Sequence, residues 1–147
     1  IVKGDGEEKY KAKWSGKKGG VAEANVFDLL PKLSEGELIN RYDKFDFIIH
    51  DPPAFTKSRQ TVESAMRGYK EINLRAMRLL PRGGYLATCS CSHFMTEQLF
   101  VKMLHQAAAD AGVSLRQIEA RQQSPDHPIL WNVEETNYLK FYLFQVV

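Results

Sequence analysis

Two short segments of the chain carry residues that could do chemistry, and each lies at the end of an apolar run of strand length. In the first, Asp51 and two prolines follow residues 45–50. The second, Thr-Cys-Ser-Cys-Ser-His at 88–93, overlaps the end of the run 85–90 and holds both cysteines of the chain. A carboxylate accepts hydrogen bonds, and a thiolate is a strong nucleophile. The two segments therefore indicate acid–base or nucleophilic chemistry at two strand ends.

The first segment combines one carboxylate with two rigid residues, Pro52 and Pro53. Proline fixes its own φ angle and biases the residue before it towards extended geometry. The carbonyl groups around Asp51 are then held in fixed directions, which suits recognition of a planar amine. A strand end with a proline turn, in which Asp51 caps a helix, is an equally open interpretation.

The second segment leaves several interpretations open for Cys89 and Cys91. A disulfide between them is disfavoured, because residues two apart on a strand have Cα atoms about 6.5 Å apart and would be strained. A metal site completed by His93 lacks a matching second cluster in the sequence. Either cysteine could also simply fill a tight sheet. We expect Cys89, inside the apolar run, to be a core residue and Cys91, near a predicted helix start at Thr96, to be a nucleophile.

The elements that must position these segments alternate between strands and helices. Apolar patterns predict strands over 22–27, 45–50, 85–90, 115–121 and 138–147, and helices over 62–80, ended by Gly83-Gly84, and 96–112, ended by Gly112. Residues 28–30 are predicted to be a turn or helix that breaks at Pro31. This order predicts an α/β fold with a doubly wound, mostly parallel sheet and one antiparallel strand near the C-terminus. Ligands of such sheets bind beyond the carboxyl ends of the strands, where both segments lie.

Composition bounds the class of protein. The 147 residues are 44% apolar and 26% charged, which fits one globular domain and excludes a disordered, collagenous or disulfide-built chain. No apolar run is long enough to span a membrane and no signal peptide is recognisable, so we expect a cytoplasmic protein without a membrane partner.

The net charge of +2 is unevenly distributed along the chain. Residues 1–20 hold six lysines and three acidic residues, and the remaining 14 basic and 15 acidic residues nearly cancel. We therefore predict a basic, flexible lead-in over 1–20 and the domain proper over 21–147. Residues 57–82 hold seven basic residues and two glutamates. They are expected to form a solvated helix face, and attraction of nucleic-acid phosphates is the alternative.

Several motifs in order along the chain resemble one family. They are the apolar strand leading into Asp-Pro-Pro-x-Phe at 51–55, the segment Arg-Gly-Tyr-Lys-Glu-Ile-Asn at 67–73, Gly83-Gly84, Ser-Cys-Ser at 90–92, Asp-His-Pro at 126–128 and Tyr-Leu-Lys at 138–140. Together they resemble Rossmann-type S-adenosylmethionine (SAM) methyltransferases. Within these, the resemblance is to the bacterial 23S ribosomal RNA cytosine-C5 methyltransferases that carry an N-terminal PUA domain. It covers residues 26–147.

The resemblance implies SAM as cofactor, ribosomal RNA as partner, and roles for particular residues. Cys91 would add to cytosine C6, and Asp51 would hydrogen-bond or protonate N3. The cofactor would contact Asn25, Val26, Asp51, Pro52 and Pro53, and the substrate would contact Phe55, Lys57, Tyr69, Lys70 and His93. His93 is also a candidate for the base that removes the C5 proton. No metal is implied.

The chain departs from the family pattern in four features. The first strand, with its glycine-rich cofactor loop, and the second strand, which ends in an acid for the cofactor ribose, are not recognisable, and neither is the PUA domain. Asn25 stands where the family usually has an acid. The resemblance therefore implies the C-terminal part of a catalytic domain, inactive alone and lacking its N-terminal strands. We expect the edge of strand 45–50 to be open or covered by a second copy in a homodimer.

Two other functions remain open. An exocyclic-amine nucleic-acid methyltransferase would use the Asp-Pro-Pro motif and leave Cys91 structural, although in that class the aromatic residue follows the second proline directly and here Ala54 intervenes. A non-enzymatic RNA-binding remnant would explain the missing cofactor loop.

Overall fold

The computed structural model describes residues 25–35, 45–56 and 58–147, with the side chain of Arg59 excepted. The chain divides into two units, Ile1–Lys44 and Phe45–Val147. The predicted lead-in, residues 21–24 and Lys57 lie outside the described residues.

The described part of the first unit is a helix, α1, over Val26–Ser34. The predicted strand over 22–27 is therefore wrong at residues 25–27. The side-chain oxygen of Asn25 accepts a hydrogen bond from the backbone N–H of Phe27 at 3.0 Å, and this cap starts a helix rather than a strand. The leucines at 29, 30 and 33 follow at helical spacing and are buried.

Helix α1 also continues through Pro31, where a break was predicted. Proline in a helix removes one backbone hydrogen bond and crowds the preceding turn. Here the carbonyl of Pro31 still accepts the N–H of Glu35 at 2.9 Å, so the last turn closes beyond the proline. Burial of the leucine face offsets the lost bond.

Over residues 45–56 and 58–147, the second unit contains four strands and two long helices. They are β1 (Phe47–His50), α2 (Val62–Leu79), β2 (Tyr85–Ser90), α3 (Glu97–Ala111), β3 (Leu115–Arg121) and β4 (Lys140–Val146), with single 3₁₀ turns at Arg59–Thr61 and Glu134–Thr136. The four strands and both long helices begin and end within two residues of their predicted bounds. Among the described residues, no helix is both long and apolar enough to cross a membrane.

The four strands form one sheet in the order β1-β2-β4-β3. Strand β1 is parallel to β2, whereas β4 is antiparallel to both β2 and β3. One reversed strand near the C-terminus was predicted, and β4 is that strand. Because β4 lies between β2 and β3, it makes two of the three pairings antiparallel. The described sheet is therefore open and mixed, and its pairing is not mostly parallel as expected.

Helices α2 and α3 cover one face of the sheet. The side chains that alternate along β4, Tyr142, Phe144 and Val146, are buried together with Leu86 of β2 against both helices. The helices contribute Ala65, Tyr69, Leu74, Ala76, Met77, Phe100, Met103, Leu104 and Ala107 to this core.

The ends of the two helices differ in how well the sequence indicated them. Helix α3 begins at the cap Thr96 and ends at Gly112, whose φ of 70° is the left-handed conformation that favours glycine. Both ends were predicted. Helix α2 stops before the predicted Gly83-Gly84, because Leu80 precedes a proline and is extended. The two glycines form the turn into β2, where the N–H of Gly83 donates to the carbonyl of Val146 at 2.7 Å.

Strand β1 is an edge strand of the described sheet and pairs there only with β2. Phe47 and Ile49 on this strand are 49% and 70% exposed. An exposed apolar edge invites pairing with another strand. Its coverage by a second copy stays a prediction.

His50, the last residue of β1, makes the fold sensitive to acid. It is buried, and its Nδ1 has no hydrogen-bond partner among the described residues. Burial lowers the pKa of His50 from 6.5 to about 4, because desolvation disfavours the imidazolium. The unfolded chain then binds a proton more readily than the folded chain. The stability contributed by His50 is therefore full above about pH 6.5 and is lost as the pH falls towards 4.

We predict that lowering the pH from 7 to 5 reduces the free energy of unfolding by about 2 kcal/mol through His50 alone. Urea denaturation followed by circular dichroism at both pH values measures this. His50→Leu should remove that part of the pH dependence, whereas His105→Gln, at an exposed position on α3, should leave it unchanged. An unaltered pH dependence in His50→Leu would contradict the assignment.

Candidate active site

The two predicted tips meet at one edge of the sheet. Strands β1 and β2 are parallel, and His50 lies opposite Thr88 in their register, so the next residues, Asp51 and Cys89, are neighbours. The Cys89 thiol donates to an Asp51 carboxylate oxygen at 3.2 Å and to the carbonyl of His50 at 3.4 Å. The prediction that both segments lie together at the carboxyl ends of these strands is confirmed.

Cys89 is held as a protonated thiol. It is buried within β2, and burial, followed by its hydrogen bond to Asp51, raises its pKa to about 12. Its thiolate is therefore negligible at neutral pH. The prediction that Cys89 is a core residue is confirmed, and the structure adds that it anchors Asp51.

Cys91 lies one residue beyond β2 and is less buried than Cys89. It is a free cysteine of intermediate exposure, and no hydrogen-bond partner for its thiol occurs in the described ranges. A partly exposed thiol at a strand tip can reach a substrate. The two cysteines therefore divide into one inert donor and one accessible candidate nucleophile.

Two buried serines fix the backbone on either side of Cys91. The hydroxyl of Ser90 donates to the phenolic oxygen of Tyr69 on α2 at 3.0 Å. The hydroxyl of Ser92 donates to the carbonyl of Thr56, in the loop after Asp51, at 2.9 Å. The Ser-Cys-Ser tip is thus tied at one end to a helix and at the other to the neighbouring tip. This leaves Cys91 as the residue free to face outward.

Tyr69 supports this tip from beneath. It is fully buried, and its ring lies 4.6 Å from that of Phe55 and 5.9 Å from that of Phe100, measured between centroids. Burial raises its pKa, so the phenol stays neutral. The sequence suggested substrate contact for Tyr69 and Phe55. The structure puts Tyr69 inside the core and packs the half-buried Phe55 onto it.

The basic residues of α2 are engaged locally. Lys70, another predicted substrate contact, forms an ion pair with Asp110 of α3 at 2.7 Å. Arg78 donates to the backbone carbonyl of Asp110 at 3.0 Å, and Arg75 pairs with Glu71 at 2.8 Å. The contacts of Lys70 and Arg78 with Asp110 link α2 to α3, whereas the Arg75–Glu71 pair lies within α2. The solvated helix face stays a prediction. Lys70 does not contribute to the tips in this arrangement.

Lys140 belongs to the site, although the sequence assigned it no role there and marked it only as part of the Tyr-Leu-Lys motif at 138–140. It begins β4 opposite Ser90 and is buried, and its ammonium donates to the carbonyls of Ser92 at 2.5 Å and Tyr138 at 2.7 Å. A signal was available. Lys140 falls in phase with the inward side chains of β4 at 142, 144 and 146, so the alternation alone predicts a buried lysine.

A cleft of about 830 Å³ opens beside this lysine. It is bounded by the start of α3, the end of β3 and the loop before β4. Its lining includes His93, Lys140, Arg121, Asn137 and Trp131. Trp131 is 99% exposed, which is exceptional for an indole ring. The predicted substrate residue His93 is exposed, follows Cys91 by two residues and lines the cleft. It therefore connects the Cys91 tip with the cleft.

The described residues do not form a metal-binding cluster. Among the described residues, no group of three or more His, Cys, Asp and Glu side chains is arranged to hold an ion. The alternative of a site made by Cys89, Cys91 and His93 therefore has no support. Asn25 and Val26 begin helix α1 in the other unit, and their contact with a cofactor stays a prediction.

Comparison with curated proteins identifies related sequences. The chain is 44% identical over 123 residues to the protein from Shigella dysenteriae serotype 1 named Ribosomal RNA large subunit methyltransferase I, which is 84% of the chain and 30% of that protein. Proteins of the same name from Salmonella arizonae and Escherichia coli O1:K1 are 43% and 44% identical over the same length. The chain spans about 30% of the length of the curated relatives it matches. No protein-family model matches it.

Solved structures share the fold. SMU.776, assigned as a methyltransferase and complexed with S-adenosylhomocysteine, superposes with a TM-score of 0.68 at 21% identity, over 86% of this chain and 31% of that one. A Streptococcus mutans protein assigned as a SAM-dependent methyltransferase gives a TM-score of 0.67 at 21% identity, over 86% and 30% of the two chains. The chain therefore has a methyltransferase-like α/β fold with an open mixed sheet.

The contrast between the two cysteines yields a direct prediction. At pH 8 iodoacetamide should modify Cys91 at least about a hundred times faster than Cys89, since only the thiolate reacts and the high pKa of Cys89 suppresses it. Mass spectrometry of the digested protein measures both rates. Cys91→Ala should leave the folded protein nearly unreactive, whereas Cys89→Ala should not. Equal rates for the two cysteines in the folded protein would sink the assignment.

Proposed function

We propose that the protein containing this chain is a SAM-dependent RNA methyltransferase that methylates C5 of a cytosine in 23S ribosomal RNA. The observation that carries the proposal is the pair of groups at adjoining strand ends, the accessible thiol of Cys91 and the exposed carboxylate of Asp51. The identity to relatives named as ribosomal RNA methyltransferases supports the substrate class, and the fold supports the cofactor. This chain would supply the C-terminal part of the catalytic domain.

The residues at the tips suit the chemistry of C5 methylation. Cytosine C5 is a weak nucleophile, and addition of the Cys91 thiolate to C6 gives C5 the character of an enamine carbon. Asp51 would hydrogen-bond or protonate N3 and stabilise the charge that develops as C6 is attacked. His93, two residues from Cys91, would take the C5 proton before the thiolate leaves. A base must be unstacked from its neighbours to reach such a tip.

Each unit, taken by itself, has described residues whose groups suit contact with the cofactor. Residues 51–53 stand at the carboxyl end of a parallel strand with an exposed carboxylate and two residues that lack an N–H, so acceptors dominate there. The amide oxygen of Asn25 accepts one bond from Phe27 and has a second lone pair for the adenine amine. We assign cofactor binding to these residues and Val26. When bound, SAM supplies an electrophilic methyl group to the activated C5.

Methylation of an exocyclic amine is the second candidate, and the Asp-Pro-Pro motif favours it. The ring expected to grip the amine would be Phe55, since Ala54 follows the second proline. In the structure Phe55 packs onto the buried Tyr69, which supports a structural use of this ring. Cys91 would then have no chemical role, so removal of its thiol distinguishes the two reactions.

The decisive experiment traps the covalent intermediate. The complete gene product that contains this sequence is incubated with SAM and ribosomal RNA transcribed with 5-fluorocytidine, whose C5 bears no proton to remove. We expect a denaturation-resistant protein–RNA adduct on a gel. Cys91→Ala should abolish both the adduct and methylation of ordinary RNA.

Cys89→Ala is the matched control, because it removes the other thiol and leaves the Ser-Cys-Ser tip intact. The Cys89→Ala protein should still form the adduct. Methylation without any adduct would support the amine reaction. RNA binding without methylation of either substrate would support a binding module and sink both enzymatic proposals.

The cleft beside the tip is suited to the RNA strand that flanks the target base. It shares His93 and Lys140 with the tip and combines the exposed ring of Trp131 with the side chains of Arg121 and Asn137. Unpaired bases stack on exposed aromatic rings, and amide and guanidinium groups bind base edges and phosphates. We propose that a nucleotide next to the target cytosine stacks on Trp131.

Trp131 can report on this contact, because only one other tryptophan, Trp14, is present in the chain. In a Trp14→Phe background, a short single-stranded RNA containing the target should quench Trp131 fluorescence. Trp131→Ala should weaken RNA binding about 5- to 100-fold, since base–aromatic stacking contributes about 1–3 kcal/mol. Trp131→Phe keeps a ring and should recover much of the affinity. RNA binding with unchanged fluorescence would argue against stacking at this residue.

A further inference from the structure

Lys140 is buried in a place where a lysine is costly. Only 7% of its surface is exposed, at the start of β4 and opposite Ser90. Lysine is almost never fully buried unless its charge has a partner, because the desolvation of an ammonium is unfavourable. Among the described residues, no carboxylate forms an ion pair with it. Its position therefore calls for a physical reason beyond packing.

The ammonium is anchored by the backbone around Cys91. Two of its three N–H groups are directed to the carbonyls of Ser92 and Tyr138. Ser92 directly follows Cys91, and Ser90, its register partner, directly precedes it. The cationic head is thus fixed next to the residue between these two serines. One N–H remains without a protein partner in the described part of the chain.

The groups that face Lys140 come from three elements. They are Cys91 beyond β2, Glu97 on α3 and Tyr142 on β4, and His93, Arg121 and Glu134 line the same cleft. Glu97 is occupied by the hydroxyl of Tyr142 at 2.7 Å. Burial lowers the pKa of Lys140 to about 8, against which negative charge at Cys91, and then at Glu97, acts to raise it. Of the two acidic groups that act on Lys140, Glu97 accepts the Tyr142 hydroxyl, which leaves the Cys91 thiol as the group for Lys140 to stabilise.

We propose that Lys140 is the positioning residue whose ammonium stabilises the thiolate of Cys91 as an ammonium–thiolate pair. The Cys91 thiol releases its proton to solvent, and Lys140 keeps its own proton. The sulfur electron pair then forms the bond to cytosine C6, and it returns to sulfur when that bond breaks. Lys140 stays protonated throughout. The cytosine step rests on the proposed function, whereas the ion pair does not.

The test measures the reactivity of Cys91 without RNA. In the complete gene product with Cys89→Ala, the rate of iodoacetamide alkylation is followed from pH 6 to 9.5. An opposite charge within about 4–6 Å favours an ionised group by one to three pH units. Lys140→Met should therefore move the midpoint of the alkylation profile at least about one unit to higher pH and slow the reaction at pH 7 about tenfold.

Lys140→Arg is the matched control, since guanidinium keeps the charge but cannot give up its proton. It should restore alkylation at pH 7 if the charge matters. A Lys140→Met protein that remains folded by circular dichroism and keeps the original alkylation profile would overturn the proposal.

A second measurement covers the case in which Lys140→Met does not fold. In the protein with Lys140 intact, the ¹⁵N resonance of its side chain is titrated with and without Cys91→Ser. We expect Lys140 to titrate at lower pH once the thiolate is gone, and identical titrations would overturn the pair. Because neither assay contains RNA, failure of the methylation proposal leaves these results interpretable.

Discussion

The parallel pairing of β1 with β2 is the constraint on which the rest of the site depends. Its register sets His50 opposite Thr88 and so makes Asp51 and Cys89 neighbours. Side chains alternate along a strand, so a slip of one residue would exchange the faces of every cysteine and serine at the tip. With this register, the two serines reach their buried hydrogen-bond partners and the Asp51 carboxylate adjoins the Cys89 thiol.

A row of aromatic rings carries this register from the loop after Asp51 to the far side of the core. Phe55 packs on Tyr69, Tyr69 on Phe100, and Phe100 on Tyr142 of β4, with centroids 4.6, 5.9 and 6.1 Å apart. The Tyr69 hydroxyl accepts a hydrogen bond from Ser90, and the Tyr142 hydroxyl donates one to Glu97. The row therefore packs the loop after Asp51, both helices and β4 into one continuous core, which supports a site with fixed geometry.

The thiols of Cys89 and Cys91 have different surroundings, and buried polar atoms without partners lie near them. Cys89 loses its reactivity to burial and to Asp51, whereas Cys91 stays accessible beside the ammonium of Lys140. His50 and Thr88, opposite each other in the sheet, both have buried side-chain atoms without a partner among the described residues. Such groups reduce stability, and they collect where a protein trades stability for chemistry.

The sequence by itself determined the elements of the second unit and the meeting of the two tips, because apolar periodicity and glycine or threonine caps act locally. It also distinguished the core residue Cys89, which lies inside an apolar run, from the candidate nucleophile Cys91. It erred at residues 25–27 and at Pro31, where an asparagine cap and a buried leucine face outweighed local strand and breaker signals.

The tertiary structure alone decided the contacts between elements distant in the chain. Pattern cannot reveal that β4 inserts between β2 and β3, and this insertion is what brings Lys140 opposite Ser90 and its ammonium to the carbonyl of Ser92. The same holds for Tyr69. Helical spacing is compatible with a Tyr69 ring that contacts substrate or one that lies in the core, and in the folded chain the ring is buried in the core. Those outcomes depend on the side chains that share a space, and only the folded chain defines that space.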